Sequence, residues 1–121
     1  MGNFILRNGS FVGSGDTLIN LQRPISASVT TDITASNQNA GYFFEVAGNL
    51  TCSVQTSSII PNNVGNEYEF FQSGSGNFLF ETGSGVTMYS KNGLKLTGEF
   101  SACTLKHIRQ DVWVLVGDLT T

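Results

Sequence analysis

No apolar run in this chain goes far before a Gly, Asn or Ser cluster interrupts it, and that punctuation constrains the fold more than any other feature. "GSG" occurs three times, at residues 13–15, 74–76 and 83–85, with "AGN" at 47–49 and "KNGL" at 91–94. Between the breaks, apolar residues alternate with polar ones instead of recurring every third or fourth position. Leu50, Cys52 and Val54 share one face of an extended segment, and Thr51, Ser53 and Gln55 share the other. Leu94 and Leu96 flank Lys95 in the same way. Period two between turn signals predicts strands at 17–21, 28–33, 42–46, 50–55, 67–71, 78–80, 86–88, 94–96, 100–108 and 112–116. Asn92-Gly93 reads as a two-residue hairpin turn, because both positions tolerate positive φ. Strands this closely spaced leave no room for helical crossovers. The expectation is an all-β fold, a small antiparallel sandwich or barrel-like domain.

A chain of 121 residues fits one domain able to bury roughly two-thirds of its unfolded surface. Residues 1–41 scatter their apolar groups and read as an extended N-terminal arm leading into the first strands. From residue 42 to 121 the pattern is dense, and this part reads as the packed β-domain. Charged residues make up 12% of the chain, about half the usual share. The surface must therefore be built from uncharged polar groups, or part of it must be covered by a partner. Arg7, Arg23, Lys91, Lys95, Lys106 and Arg109 are dispersed and the net charge is −3, which disfavours nucleic-acid binding driven by counterion release. No stretch approaches the ~20 apolar residues of a membrane-spanning helix. The opening "MGNFILRNGS" lacks the charged and apolar regions of a signal peptide. Leu6 stands where myristoylation would require Ser or Thr. Without a secretory route, the sequons at Asn8 and Asn49 carry little weight.

Chemistry finds few footholds. Each "GSG" lacks the Gly-Lys-Ser/Thr and the following helix of a phosphate-binding loop, so these are turns. One His and two distant Cys do not make a metal site, and no cofactor is expected. Cys52 and Cys103 could pair, but both sit in apolar strand patterns and read as buried free thiols. Glu67 and Glu69 share a strand face opposite Tyr68 and Phe70 and read as a solvated face. His107 could act as a base oriented by Asp111, yet no Gly-x-Ser-x-Gly elbow marks a nucleophile. The residues point away from an enzyme.

The aromatic residues carry more information. "GYFFEV" and "EYEFF" place rings on both faces of their strands, as a core and a subunit interface together would require. In "DVWVLVGD", Val112, Val114 and Val116 point one way and Trp113 and Leu115 the other. A strand apolar on both sides needs cover on both.

The stretch "GSGVTMYSKNGLKLTGEFSACTLKHIRQDVWVLVGDL" resembles a small β-domain of tailed-bacteriophage virion proteins, found at the ends of tail-fibre-like chains and in phage structural proteins. The resemblance rests on Gly83 to Val86, Gly93-Leu94, Leu96, Gly98, Phe100, Ser101-Ala102, Thr104-Leu105, Trp113 and Gly117-Asp118. With the upstream "FQSGSGNFLFETGSGV" it extends over residues 42–119, about two-thirds of the chain. It implies a virion building block, commonly a homotrimer, with no catalytic residues to carry over. The expected role is a capsid decoration (cement) protein, made in the host cytoplasm without a signal peptide and located on the virion. Its partners would be other copies of itself and capsid or other virion proteins. The arm residues Phe4, Ile5, Leu6 and Phe11 are the expected attachment contacts, with Trp113 and Val114 facing a neighbouring subunit. The alternative is a tail-fibre or head-fibre component that binds a host surface glycan through Tyr42, Tyr68 or Tyr89, by stacking and hydrogen bonding.

Overall fold

A computed structural model describes residues 23–121, together with the backbone of residues 5–7 and 10–12. β1 (Ile5–Arg7) and β2 (Ser10–Val12) form an antiparallel hairpin that pairs with no other strand among the described residues. The next six strands are β3 (Ile25–Val29), β4 (Ile33–Thr34), β5 (Phe43–Val46), β6 (Leu50–Val54), β7 (Glu67–Gln72) and β8 (Phe78–Thr82). They alternate between two sheets, so that β3, β5 and β7 are parallel neighbours in one while β4, β6 and β8 are parallel neighbours in the other. The chain thus winds as a flattened coil. Parallel neighbours need a long connection, usually a helix; here the connection is a strand of the opposite sheet.

The remaining strands close both sheets. They are β9 (Thr87–Tyr89), β10 (Lys95–Leu96), β11 (Ala102–Arg109), β12 (Val112–Gly117) and β13 (Leu119–Thr120). β11 runs antiparallel to β7 and to β12, and β9 adds parallel to β12, completing a six-stranded sheet of order β3-β5-β7-β11-β12-β9. β10 and β13 add antiparallel to the second sheet, giving the five-stranded order β4-β6-β8-β10-β13. The result is the expected all-β, two-sheet domain, but its sheets are mixed instead of purely antiparallel.

Several local expectations change with this topology. The strand expected at 28–33 is two strands in different sheets: Ser28 (φ 55) sits at an irregularity inside β3, which ends at Val29, and the chain enters β4 at Ile33. Ile33 and Ala35 are buried in the shared core, and β3 and β4 add to its two sheets. The strand expected at 17–21 lies outside the described residues. Asn92-Gly93 is not a hairpin, because β9 and β10 belong to different sheets. Gly93 has φ 131, and a Cβ there would lie 2.1 Å from the Thr120 carbonyl oxygen. The glycine serves the close approach of β13, not a two-residue turn. Gly76 is confined in the same way, with φ 115 and the Gly48 backbone 2.4 Å from any added Cβ.

The core fills the space between the sheets with every second side chain. From β7 comes Phe70, fully buried, with ring centroids 5.2 Å from Phe44, 5.4 Å from Phe78 and 5.1 Å from Phe80. Phe44 belongs to its own sheet, Phe78 and Phe80 to the other, so one ring ties both layers together. Leu50, Cys52 and Val54 point inward from β6, as their alternation requires, and Cys103, Leu105, Trp113 and Leu115 face them from β11 and β12. Both cysteines are buried free thiols. Burial pushes both thiols well above the ordinary value, with Cys103 adding to the rise at Cys52 and Asp118 to that at Cys103.

Two outcomes follow. Phe70→Ala removes the ring shared by both sheets and is expected to lower the unfolding free energy by about 3–5 kcal/mol, read from the midpoint of urea denaturation. The thiols stay protonated in the folded chain where an exposed thiol ionises, so the unfolded state releases protons first. Their stabilising contribution is intact below the ordinary value of 9.0 and is lost as pH rises above it. The slope is up to about 1.4 kcal/mol per pH unit for each thiol. Denaturation midpoints measured from neutral to alkaline pH should fall beyond 9.0, and a flat profile there would contradict the assignment.

Candidate interaction face

The side chains that alternation turns away from the core form the outer face of the six-stranded sheet. Register places Phe43, Glu69, Thr104 and Val116 in one row across β5, β7, β11 and β12. Glu67, Lys106, Val114 and Tyr89 form the next row. Each Phe-Phe doublet sends one ring inward and one outward: Phe44 and Phe70 enter the core, Phe43 and Phe71 remain outside. Phe43 stacks on Phe71 at 6.4 Å, and Phe71 stacks on Phe100 at 6.2 Å, giving a three-ring row. Beside the row, Phe43, Ala102, Val116 and Gly117 border a shallow depression of about 330 Å³.

Phe100 is the unusual member. It is 68% exposed and has φ 70, a left-handed conformation that a bulky side chain rarely takes. The turn before β11 holds it there: the Phe100 N–H donates to the Gln72 carbonyl at 2.6 Å, and the Gln72 N–H donates to the Ser101 carbonyl at 2.9 Å. Backbone in this region costs on the order of 1–3 kcal/mol. Contacts within the chain return little of that cost to so exposed a ring. Val116, 57% exposed, extends the apolar surface on β12.

Four charges on this face form an ion-pair network, while Glu45, beside Phe71, accepts the Ser28 N–H. Arg23 pairs with Glu69 and approaches Glu67 at 3.9 Å, and Lys106 reaches Glu67 at 3.2 Å. These side chains are one-third to one-half exposed, so each pair contributes at most about 1 kcal/mol to stability. Glu67 and Glu69 thus lie on the solvated face, within an ion-pair network. Their effect is to leave two acids and two bases without net charge beside the aromatic row.

Several expected contact residues lie elsewhere. Trp113 is fully buried, stacked on His107 at 4.3 Å and tilted against Tyr68 at 6.0 Å, so it cannot face a neighbouring subunit. Of the expected pair only Val114, half-buried on the outer face, is placed to do so. Tyr68 is also fully buried: its hydroxyl donates to the Ser36 carbonyl at 2.6 Å and accepts from Asn62 Nδ2 at 2.9 Å. Burial raises its phenol above the ordinary value, opposed by the Asn62 and Asn66 amides, and no glycan can reach it. Tyr42 and Tyr89 are accessible but lie toward opposite edges of the sheet and share no platform. Ile5, Leu6 and Phe11 are on the β1–β2 hairpin, and Phe4 precedes it; their side chains lie outside the described residues.

His107 is an interior residue, fully buried near the end of β11. Its Nε2 accepts the Asp111 N–H at 3.0 Å, while the Asp111 carboxylate accepts the Ser57 N–H at 2.8 Å instead of turning toward the imidazole. Among the described residues, no three His, Cys, Asp or Glu side chains converge on a metal-sized site, and no helix is long and apolar enough to cross a membrane. The chain matches no protein-family model and no curated protein.

His107→Ala should leave the Asp111 N–H unpaired and a void beside Trp113. A loss of about 2–4 kcal/mol in unfolding free energy is expected, measurable by chemical denaturation followed through tryptophan fluorescence.

Proposed function

We propose that this chain is a structural protein of a tailed-bacteriophage virion, that its copies associate as a homotrimer through the outer face of the six-stranded sheet, and that the assembly decorates the capsid shell. Phe100 carries the proposal. An exposed aromatic ring in a left-handed conformation is a local cost that a neighbouring copy can offset, by covering the Phe43–Phe71–Phe100 row. The pairing of Arg23 and Lys106 with Glu67 and Glu69 supports self-association, since these four charges then present no net repulsion to a neighbouring copy. The low charged fraction and the resemblance to phage virion domains point the same way.

Decoration works by mass action. A protein that binds only the assembled shell stabilises it by RT ln(1 + [L]/Kd), about 2.7 kcal/mol per site when the free concentration is 100-fold above Kd. The β1–β2 hairpin, which carries three of the four apolar arm residues, suits the attachment role. An isolated two-stranded ribbon is marginal in water and gains from docking on a partner.

Phe71→Ser combined with Phe100→Asn should give a folded monomer by light scattering on a sizing column, and an unchanged oligomer mass would refute the interface. Deleting residues 1–12 should abolish binding to particles while the thermal unfolding transition persists; undiminished occupancy would rule out the arm. Densitometry of purified particles should find many copies per virion, whereas a fibre tip would be present in few.

A further inference from the structure

Among the described residues, one end of the coil is open. β3 and β4 are the terminal strands of the two sheets on the same side of the domain, and a groove of about 760 Å³ enters between them. That volume falls within the ~300–1,000 Å³ of small-molecule sites. Hydroxyls of Ser26, Thr34 and Ser36 line it, and Tyr42 and Phe44 supply an aromatic wall, their rings stacked at 5.8 Å. The rest of the polar lining is the amide cluster Asn37, Gln38 and Asn39, on a single 3₁₀ turn. Apart from the Tyr42 phenol, the lining holds no ionisable side chain. The carboxylates flanking this end point elsewhere, Asp32 to the Thr51 N–H and Glu45 to the Ser28 N–H.

The amide wall is held in place from behind. Asn37 Oδ1 accepts from the Asn63 N–H at 2.9 Å and from Asn66 Nδ2 at 2.8 Å, and the Asn37 N–H donates to the Pro61 carbonyl at 3.1 Å. Asn39 Oδ1 accepts the Ser36 N–H at 2.9 Å, while its Nδ2 donates to the Thr34 carbonyl at 2.9 Å. The buried Tyr68 hydroxyl fixes the Ser36 carbonyl. These bonds use one set of polar atoms and leave another. Asn37 Nδ2, the Gln38 amide and the Ser26, Thr34 and Tyr42 hydroxyls have no hydrogen-bond partner among the described residues.

We infer that this groove binds a neutral oligosaccharide. A sugar chain presents hydroxyls that both donate and accept, which the uncharged mixture of amides and hydroxyls can satisfy. It also presents an apolar ring face, which the partly buried Tyr42 can cover. An anionic ligand would find no cation in the lining. The pre-bonded wall lowers the entropic cost of binding. This inference goes beyond the assembly role and does not depend on it, since groove and aromatic row use different faces.

The test is a chemical-shift titration of the isotope-labelled full chain with maltohexaose, cellohexaose and chitohexaose. Glucose and a heparin-derived hexasaccharide serve as comparisons. At least one neutral hexasaccharide should shift the amides of residues 34–42, while glucose at equal concentration does not, which separates a polysaccharide segment from a free sugar. Tyr42→Ala and, on the exposed turn, Gln38→Ala should each weaken that binding, Tyr42→Ala by about tenfold. Tyr89→Ala should leave it unchanged. The inference is overturned if no neutral probe shifts the groove, if heparin or glucose binds as well or better, or if neither groove variant weakens binding. It is equally overturned if raising protein concentration alone produces the same shifts, which would assign the groove to a second copy.

Discussion

Neither sheet of this domain can be completed without the other, because every pair of parallel neighbours from β3 to β8 is joined through a strand on the opposite side. β5 and β7 become adjacent only after β6 has crossed the core, and β6 and β8 only after β7 has crossed back. Phe70 sits where this dependence is strongest, touching Phe44 in its own sheet and Phe78 and Phe80 in the other. Such pairing separates contacting residues along the chain. Loop-closure entropy must therefore be met before the core rewards it, which favours a slow and cooperative folding transition.

Most strands were legible in the sequence because each has one buried face, and a buried face leaves its mark in every second residue. The connections were not. A corner that carries the chain into the opposite sheet uses the same small and polar residues as a hairpin turn, so the corner between Val29 and Ile33 reads locally as strand interior and Asn92-Gly93 as a hairpin. β4 and β13 contain two residues each, too few to display a period. The aromatic row was half legible: the doublets Phe43-Phe44 and Phe70-Phe71 require one ring of each pair outside. Phe100 was not, since its outward pose depends on a backbone bond to Gln72, far away in sequence. Trp113 illustrates the remaining ambiguity. β12 is apolar on both faces, and period two cannot say which face is the core. The Asn37, Asn62 and Asn66 network was hidden too, because asparagine-rich segments look like loops until they are folded against each other.

The two surfaces described above meet at adjacent residues. Tyr42 faces the groove at the open end of the coil, and Phe43, the next residue, begins the aromatic row on the outer face. Their chemistry differs accordingly. The groove offers hydrogen-bonding capacity around an aromatic wall; the row offers stacked rings beside an ion-pair network. An extended backbone needs only one residue step to divide two kinds of recognition between two faces of the same sheet.

The cysteines have a consequence of another sort. Cys52 lies in the five-stranded sheet and Cys103 in the six-stranded one, and both side chains are sealed in the interior between them. A water-soluble alkylating reagent meets neither sulfur until the layers part. Each covalent modification therefore counts a separation of the sheets. The chain carries its own clock for opening, one hand on each layer.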